Sequence, residues 1–226
     1  MPWSEWIRTV EIEPSIYAAD FAHLGEQLEA LLRSECRIFH FDIGDGHFVE
    51  PITMGPIVLQ AIAPIIHRYG GAIDCHLMVE NPAKYFEPIA EAGGDSVTFH
   101  FEATDDVAST IRAAREQELQ VGVAFNPETE PEDVAAAVGA DADFVLCMAI
   151  HPGYSGQEFR EETFGRVERL RAALPKETHI QVDGGVAAEN AKQLYELGAT
   201  LLVAGAAIFS REDLPRAYRR LVQALV

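Results

Sequence analysis

Lysine is scarce in this chain. Only Lys84, Lys176 and Lys192 occur among 226 residues, and 17 lysines and arginines face 36 aspartates and glutamates, for a formal net charge of −19. That balance argues against a nucleic-acid partner, whose binding is driven by cationic neutralisation of phosphates. It leaves room for a small phosphorylated ligand held by local backbone dipoles. The overall field opposes an anion, so local donors must overcome it. An acidic, lysine-poor surface fits either a high-salt habitat or an ordinary acidic enzyme. Cysteine is scarce too. Cys36, Cys75 and Cys147 form an odd set without CxxC spacing, and two of them fall in apolar runs. Buried free thiols in a reducing compartment are the expectation, ahead of a catalytic cysteine. No apolar run reaches the ~18 residues of a membrane span, and no membrane partner is expected. The N-terminal MPWSEWIRTVEIEPS carries an early acid and lacks a basic-then-apolar leader pattern. A cytoplasmic location is the expectation.

Also missing is the GxGxxG turn with which an open doubly wound sheet usually announces itself after its first strand. The first turn here reads PSIYAADF. What is present is a regular alternation. Eight short runs rich in Val, Ile and Phe span 10–16, 37–43, 72–78, 96–102, 120–125, 144–150, 179–183 and 200–205. Between them lie stretches of helical period. Phe21, Leu24, Leu28 and Leu31 repeat on one face of the first, and Phe164, Val167, Leu170 and Leu174 on one face of a later one. Glu130 and Pro131 open a helix, and Gly93 and Gly198 close two others. Eight strand–helix units in this length match a TIM (β/α)8 barrel. With no linker or break in composition, residues 1–226 are read as one domain.

Four polar residues stand at the ends of these apolar runs: His40, Asp42, His76 and Asp183. His40 and Asp42 are two apart on a strand, so they share a face, while Phe39, Phe41 and Ile43 take the other. An inward His and Asp are costly to bury unless paired or bound to metal. Two His and two carboxylates suit Zn²⁺, Fe²⁺, Mn²⁺ or Co²⁺. Buried His–Asp pairs that only hydrogen-bond explain the same spacing. Small residues cluster in the turns Gly153-Tyr154-Ser155-Gly156, Gly184-Gly185 and Gly205-Ala206, where backbone N–H groups could approach a phosphate. Ordinary turn glycines explain these as well. His100 lies within a strand-like run and is read as a satisfied core histidine. Asp45 and His47 are read as loop-stabilising, and His151 as a possible pocket residue.

In order, the chain reads PSIYAADF, HFDIGDGHFV, CHLMVENP, MAIHPGYSGQEF, VDGGV and VAGAAIF. Together these strongly resemble ribulose-phosphate 3-epimerase, from about residue 12 to residue 210. The resemblance implies a TIM barrel that inverts carbon 3 of a ketose phosphate, interconverting D-ribulose 5-phosphate and D-xylulose 5-phosphate. It implies one divalent metal ion held by His40, Asp42, His76 and Asp183, with Asp42 and Asp183 also the acid/base pair. It implies substrate contacts from Ser15, His76, Met78, Met148 and Asp183, and from the turns at 153–156, 184–185 and 205–206. A homo-oligomer acting on a small sugar phosphate is the implied setting. The sequence departs from the family pattern at several points. Gly44 stands where a methionine is usual, which suggests a larger pocket and a paralogue acting on a ketohexose 6-phosphate such as allulose 6-phosphate. Tyr17 and Ala18 replace a Leu-Ser pair, His151 an asparagine, Ser155 a glycine and Ala206 a serine. A lyase or decarboxylase on the same barrel would want a lysine among its carboxylates, and the nearest is Lys84, in a helix. A catalytically idle sugar-phosphate-binding barrel is the remaining alternative.

Overall fold

The computed structural model describes residues 7–225; residues 1–6, on which the leader reading partly rests, lie outside the described residues. Eight strands form one parallel sheet: β1 Glu11–Pro14, β2 Ile38–Gly44, β3 Ala72–Met78, β4 Ser96–His100, β5 Gln120–Phe125, β6 Phe144–Met148, β7 His179–Asp183 and β8 Leu201–Ala204. Their order is β1-β8-β7-β6-β5-β4-β3-β2. A parallel bridge between Ser15 and His40 joins the two remaining edges. The eight expected strands are all present, several of them shorter than their apolar runs. At β4 the chain leaves the sheet after His100 and turns through a 3-10 segment, Phe101–Ala103.

The helices between the strands are α1 Leu24–Leu32, α2 Pro56–Arg68, α3 Ala83–Ala92, α4 Val107–Arg115, α5 Pro131–Val138, α6 Glu162–Ala173, α7 Ala191–Glu196, α8 Ala206–Phe209 and α9 Leu214–Ala224. This is a single-domain (β/α)8 barrel. Leu24, Leu28 and Leu31 bury the apolar face of α1. Phe21 is 49% exposed instead, because it precedes the helix in a 3-10 turn and so leaves the helical stripe. On α6, Val167 and Leu170 are buried, with Phe164 packed against the same core.

Strand alternation divides the interior. Odd-numbered residues of β2 and β3, Phe39, Phe41, Ile43, Ile73, Cys75 and Leu77, pack outward against the helices in one continuous apolar core. Even-numbered residues of these two strands face the barrel interior. Ile38, Ala72, Phe144 and Leu201, at the starts of their strands, seal one end together with Ile7. All three cysteines are free and buried. No described helix is long and apolar enough to cross a membrane.

Candidate active site

Parallel register assembles the polar cluster. His40 lies opposite Asp74 and Asp42 opposite His76 on the paired β2 and β3, while Asp183 closes β7 opposite Met148. Ligand atoms of His40, Asp42, His76 and Asp183 all come within 4.8 Å of one another. Three strands, β2, β3 and β7, deliver these groups to the C-terminal mouth, where a barrel gathers its chemistry.

The contacts within the cluster are short. Asp42 Oδ2 accepts from Ser15 Oγ at 2.7 Å. Asp42 Oδ1 lies 3.1 Å from His76 Nδ1 and 3.3 Å from His40 Nε2. His40 Nδ1 faces Asp74 Oδ2 at 3.0 Å. Asp74 is fixed in turn by Ser96 Oγ at 2.8 Å, Thr98 Oγ1 at 3.0 Å and Gln181 Nε2 at 2.9 Å. On the far side, His76 Nε2 lies 2.9 Å from His100 Nε2. His100 Nδ1 lies 3.3 Å from Glu102 Oε2. Period-2 alternation placed Asp74 two residues before His76 and could have marked it. Glu102 sits beyond the strand end, where no period applies. His100 is buried and hydrogen-bonded, as a core histidine should be, yet its partner is a member of the cluster.

Electrostatics separate the two carboxylates. Burial works against charge on Asp42, but the charge and hydrogen bond of His40 outweigh it and hold Asp42 well below the usual carboxylate range. Asp183 goes the other way. Burial pushes it up, His40 opposes, and the charge of Asp42 adds to the rise, to about 7. Burial also opposes charge on His40, yet Asp42 and Asp74 lift it well above the ordinary imidazole value. Burial lowers His76 and takes His100 down to about 4. In Glu13, burial and the neighbouring charge of Asp74 push the carboxyl well up.

A cavity of about 410 Å³ opens beside Asp42 and Asp183. Ser15, Met78 and Met148 line it, as do the turns Gly153–Gly156, Gly184–Gly185 and Gly205–Ala206. His76, expected also to touch substrate, is fully buried and lies outside that lining, as does His40. Tyr17, Ile150, Ser210 and Arg211 line it as well, none of them marked as a site residue by motif or spacing. Arg211 is the one cationic side chain in that lining among the described residues. The tight turn at Gly184 and Gly185 has φ of +114° and +64°. A Cβ on Gly185 would sit 2.7 Å from the Phe159 nitrogen, so only glycine fits that approach.

Two expectations change. His151 does not line the cavity; it turns outward to Glu128 at 3.3 Å and Arg160 at 3.2 Å. Gly44 does not enlarge the pocket. A Cβ there would meet the Pro51 carbonyl oxygen at 2.8 Å and Val49 at 3.0 Å, so the 45–55 loop already fills the space. Asp45 does organise that loop, accepting from the N–H groups of His47, Phe48 and Glu80.

Comparison with known proteins follows the same lines. The chain matches the ribulose-phosphate 3 epimerase family over residues 11–209. It is 37% identical over 212 residues to a ribulose-phosphate 3-epimerase from Bacillus subtilis, covering 92% of this chain and 96% of that one. It is 36% identical over 215 residues to the enzyme of that name from Candida glabrata, covering 89% and 87%. Among solved structures, 3-hexulose-6-phosphate synthase from Salmonella typhimurium superposes with a TM-score of 0.70 at 18% identity, over 95% of this chain and 98% of that chain, a likeness of fold alone. The chain belongs to the ribulose-phosphate 3-epimerase family and is an isomerase.

Proposed function

We propose that the barrel inverts C3 of a ketose phosphate, with D-ribulose 5-phosphate and D-xylulose 5-phosphate as the pair interconverted. The observation that carries this reading is the split pair of carboxylates at one cavity. Asp42 is held ionised while Asp183 is pushed up to about 7, so near neutrality one group is a base and the other an acid. A C–H beside a ketone is a weak acid, and inversion needs a proton taken from one face and returned to the other. In this reading Asp42 and Asp183 stand on opposite faces of C3. Ser15 Oγ, 2.7 Å from Asp42 Oδ2, orients that carboxylate.

The donor set fits a metal. Two imidazole nitrogens and two carboxylate oxygens within 4.8 Å match the borderline ligands that Zn²⁺, Fe²⁺, Mn²⁺ or Co²⁺ accept. His40, Asp42, His76 and Asp183 would hold it. A bound divalent ion would act as a Lewis acid, stabilising the negative charge that develops on the substrate oxygens when the C3 proton leaves. Asp74 orients His40 through its Nδ1, leaving Nε2 toward the cluster.

The phosphate would sit at the far end of the cavity. Loops after the seventh and eighth strands commonly hold phosphate in such barrels. The N–H groups of Ala206 and Ala207 open α8 and have no partner within that helix. Met78 and Met148 would pack against the carbon chain. Because Gly44 leaves no extra room, the pentulose is favoured over the hexulose 6-phosphate. Hydrogen exchange at C3 in D₂O tests the reading, with ribulose 5-phosphate and allulose 6-phosphate compared before and after chelation. Fast exchange of the pentulose, lost on chelation and restored by a divalent ion, is expected. A strong preference for the hexulose would overturn the substrate. Full activity after complete metal removal would overturn the metal.

A further inference from the structure

Behind the site, Glu102, His100 and His76 form a buried chain whose proton positions can be worked out. Glu102 Oε1 accepts from the Asn126 N–H at 2.8 Å and from the Thr129 hydroxyl. Its other oxygen, Oε2, faces His100 Nδ1 at 3.3 Å. A carboxylate fixed by two donors accepts a third, so His100 carries its hydrogen on Nδ1. A neutral His100 then presents a lone pair on Nε2. That atom lies 2.9 Å from His76 Nε2. Two ring nitrogens at that distance share one hydrogen, so His76 must donate from Nε2. Its own lone pair is thereby left on Nδ1. That nitrogen lies 3.3 Å from His40 Nε2 and 3.1 Å from Asp42 Oδ1, inside the ligand cluster. The His76 and His100 rings meet edge to edge, with centroids 5.0 Å apart and planes 26° from parallel, and Phe48 tilts against His100 at 4.8 Å.

We propose that Glu102, acting through His100, is a positioning residue that holds His76 in the one tautomer able to ligate a metal. This rests on the metal reading given above. The two histidine ligands are thus set differently. His40 takes its tautomer directly from Asp74, whereas His76 takes it from a carboxylate one ring further away. The sequence pattern behind it is HFE at the end of β4, with His100 facing the barrel and Glu102 supplied by the 3-10 turn that follows.

Glu102→Gln tests this because it keeps the shape and reverses the order. The amide oxygen must stay with the Asn126 and Thr129 donors, so the –NH₂ turns to His100 Nδ1. His100 then carries hydrogen on Nε2, and His76 is driven to carry its own on Nδ1, where a metal must bind. The ¹⁵N shifts of the histidine ring nitrogens report the tautomer in metal-free protein, and chelator competition reports the Co²⁺ affinity. The expected results are hydrogen on His76 Nε2 in the wild type and on Nδ1 in Glu102→Gln, whose Co²⁺ affinity falls ~10–100-fold. A packing role alone would move neither readout in an isosteric variant. Hydrogen on His76 Nδ1 in the wild type would overturn the relay, and that measurement does not depend on the variant folding. An unchanged tautomer with Co²⁺ affinity within threefold of wild type would overturn it too. Wild-type protein with hydrogen on Nε2 that binds no Co²⁺ would instead sink the metal reading.

Discussion

Asp183 makes the metal-free protein less stable as pH rises, and replacing it should reveal by how much. Its folded pKa is about 7, against ~3.9 for an unfolded aspartate. The unfolded chain therefore gives up this proton first. Between those values the folded state binds more protons, so the stability held below pH ~4 is lost as pH climbs to about 7. Three pKa units at ~1.4 kcal/mol each set an upper bound of ~4 kcal/mol. Part of the carboxylate faces the open cavity, so an effect of ~2 kcal/mol is expected. Asp183→Asn carries no charge and escapes the loss. In chelator at pH 8 the variant should melt ~4–8 °C above the wild type, taking ~2–4 °C per kcal/mol for a chain of this size. Near pH 4, where little of that stability is yet lost, the two should melt together. Asp42 does not confuse the comparison, because its depressed pKa leaves it charged across this range. The charge of His40, which opposes the rise of Asp183, is already contained in the value of about 7. Excess divalent ion should reverse the ranking, since only the wild type keeps all four ligands. A melting difference that is equal at pH 4 and pH 8, or a less stable variant at pH 8 in chelator, would refute the reasoning.

Two further outcomes follow from the same geometry. Asp42→Asn and Asp183→Asn should each cut turnover at least ~10²-fold while leaving a folded barrel, as read by C3 exchange and circular dichroism; near-normal turnover in either would remove that residue from acid/base work. Gly185→Ala places a Cβ against the Phe159 backbone at φ +64°. It should cost ~1–3 kcal/mol in urea unfolding and raise KM for the sugar phosphate more than it lowers kcat; an unchanged KM would place the phosphate elsewhere.

Much of the barrel was legible in the chain. Eight β-rich runs alternate with amphipathic segments, and strand periodicity separates Phe39, Phe41 and Ile43 from His40 and Asp42 without reference to any neighbour. Where the reading slipped, a local environment decided. Phe21 fits the stripe of α1 but falls in the turn before it. Gly44 suggests open space, yet the following loop, through Val49 and Pro51, occupies it. His151 sits beside cavity residues and turns to Arg160.

By itself the sequence determined the strands, the inward polar residues and the small-residue turns, because period, side-chain chemistry and glycine are local properties of the chain. Tertiary structure alone decided which inward groups meet. Register across β2 and β3 sets Asp42 beside His76, and barrel closure brings Ser15 to Asp42 and Gln181 to Asp74. Only that packing separates two chemically identical carboxylates into an Asp42 held well below the usual range and an Asp183 raised to about 7, because a pKa depends on burial and on the charges nearby. The chain from Glu102 to His76 belongs to the same class. His76 and His100 lie on adjacent strands and Glu102 in the turn after β4, and their order of hydrogens exists only once the barrel has brought the two ring nitrogens within 2.9 Å.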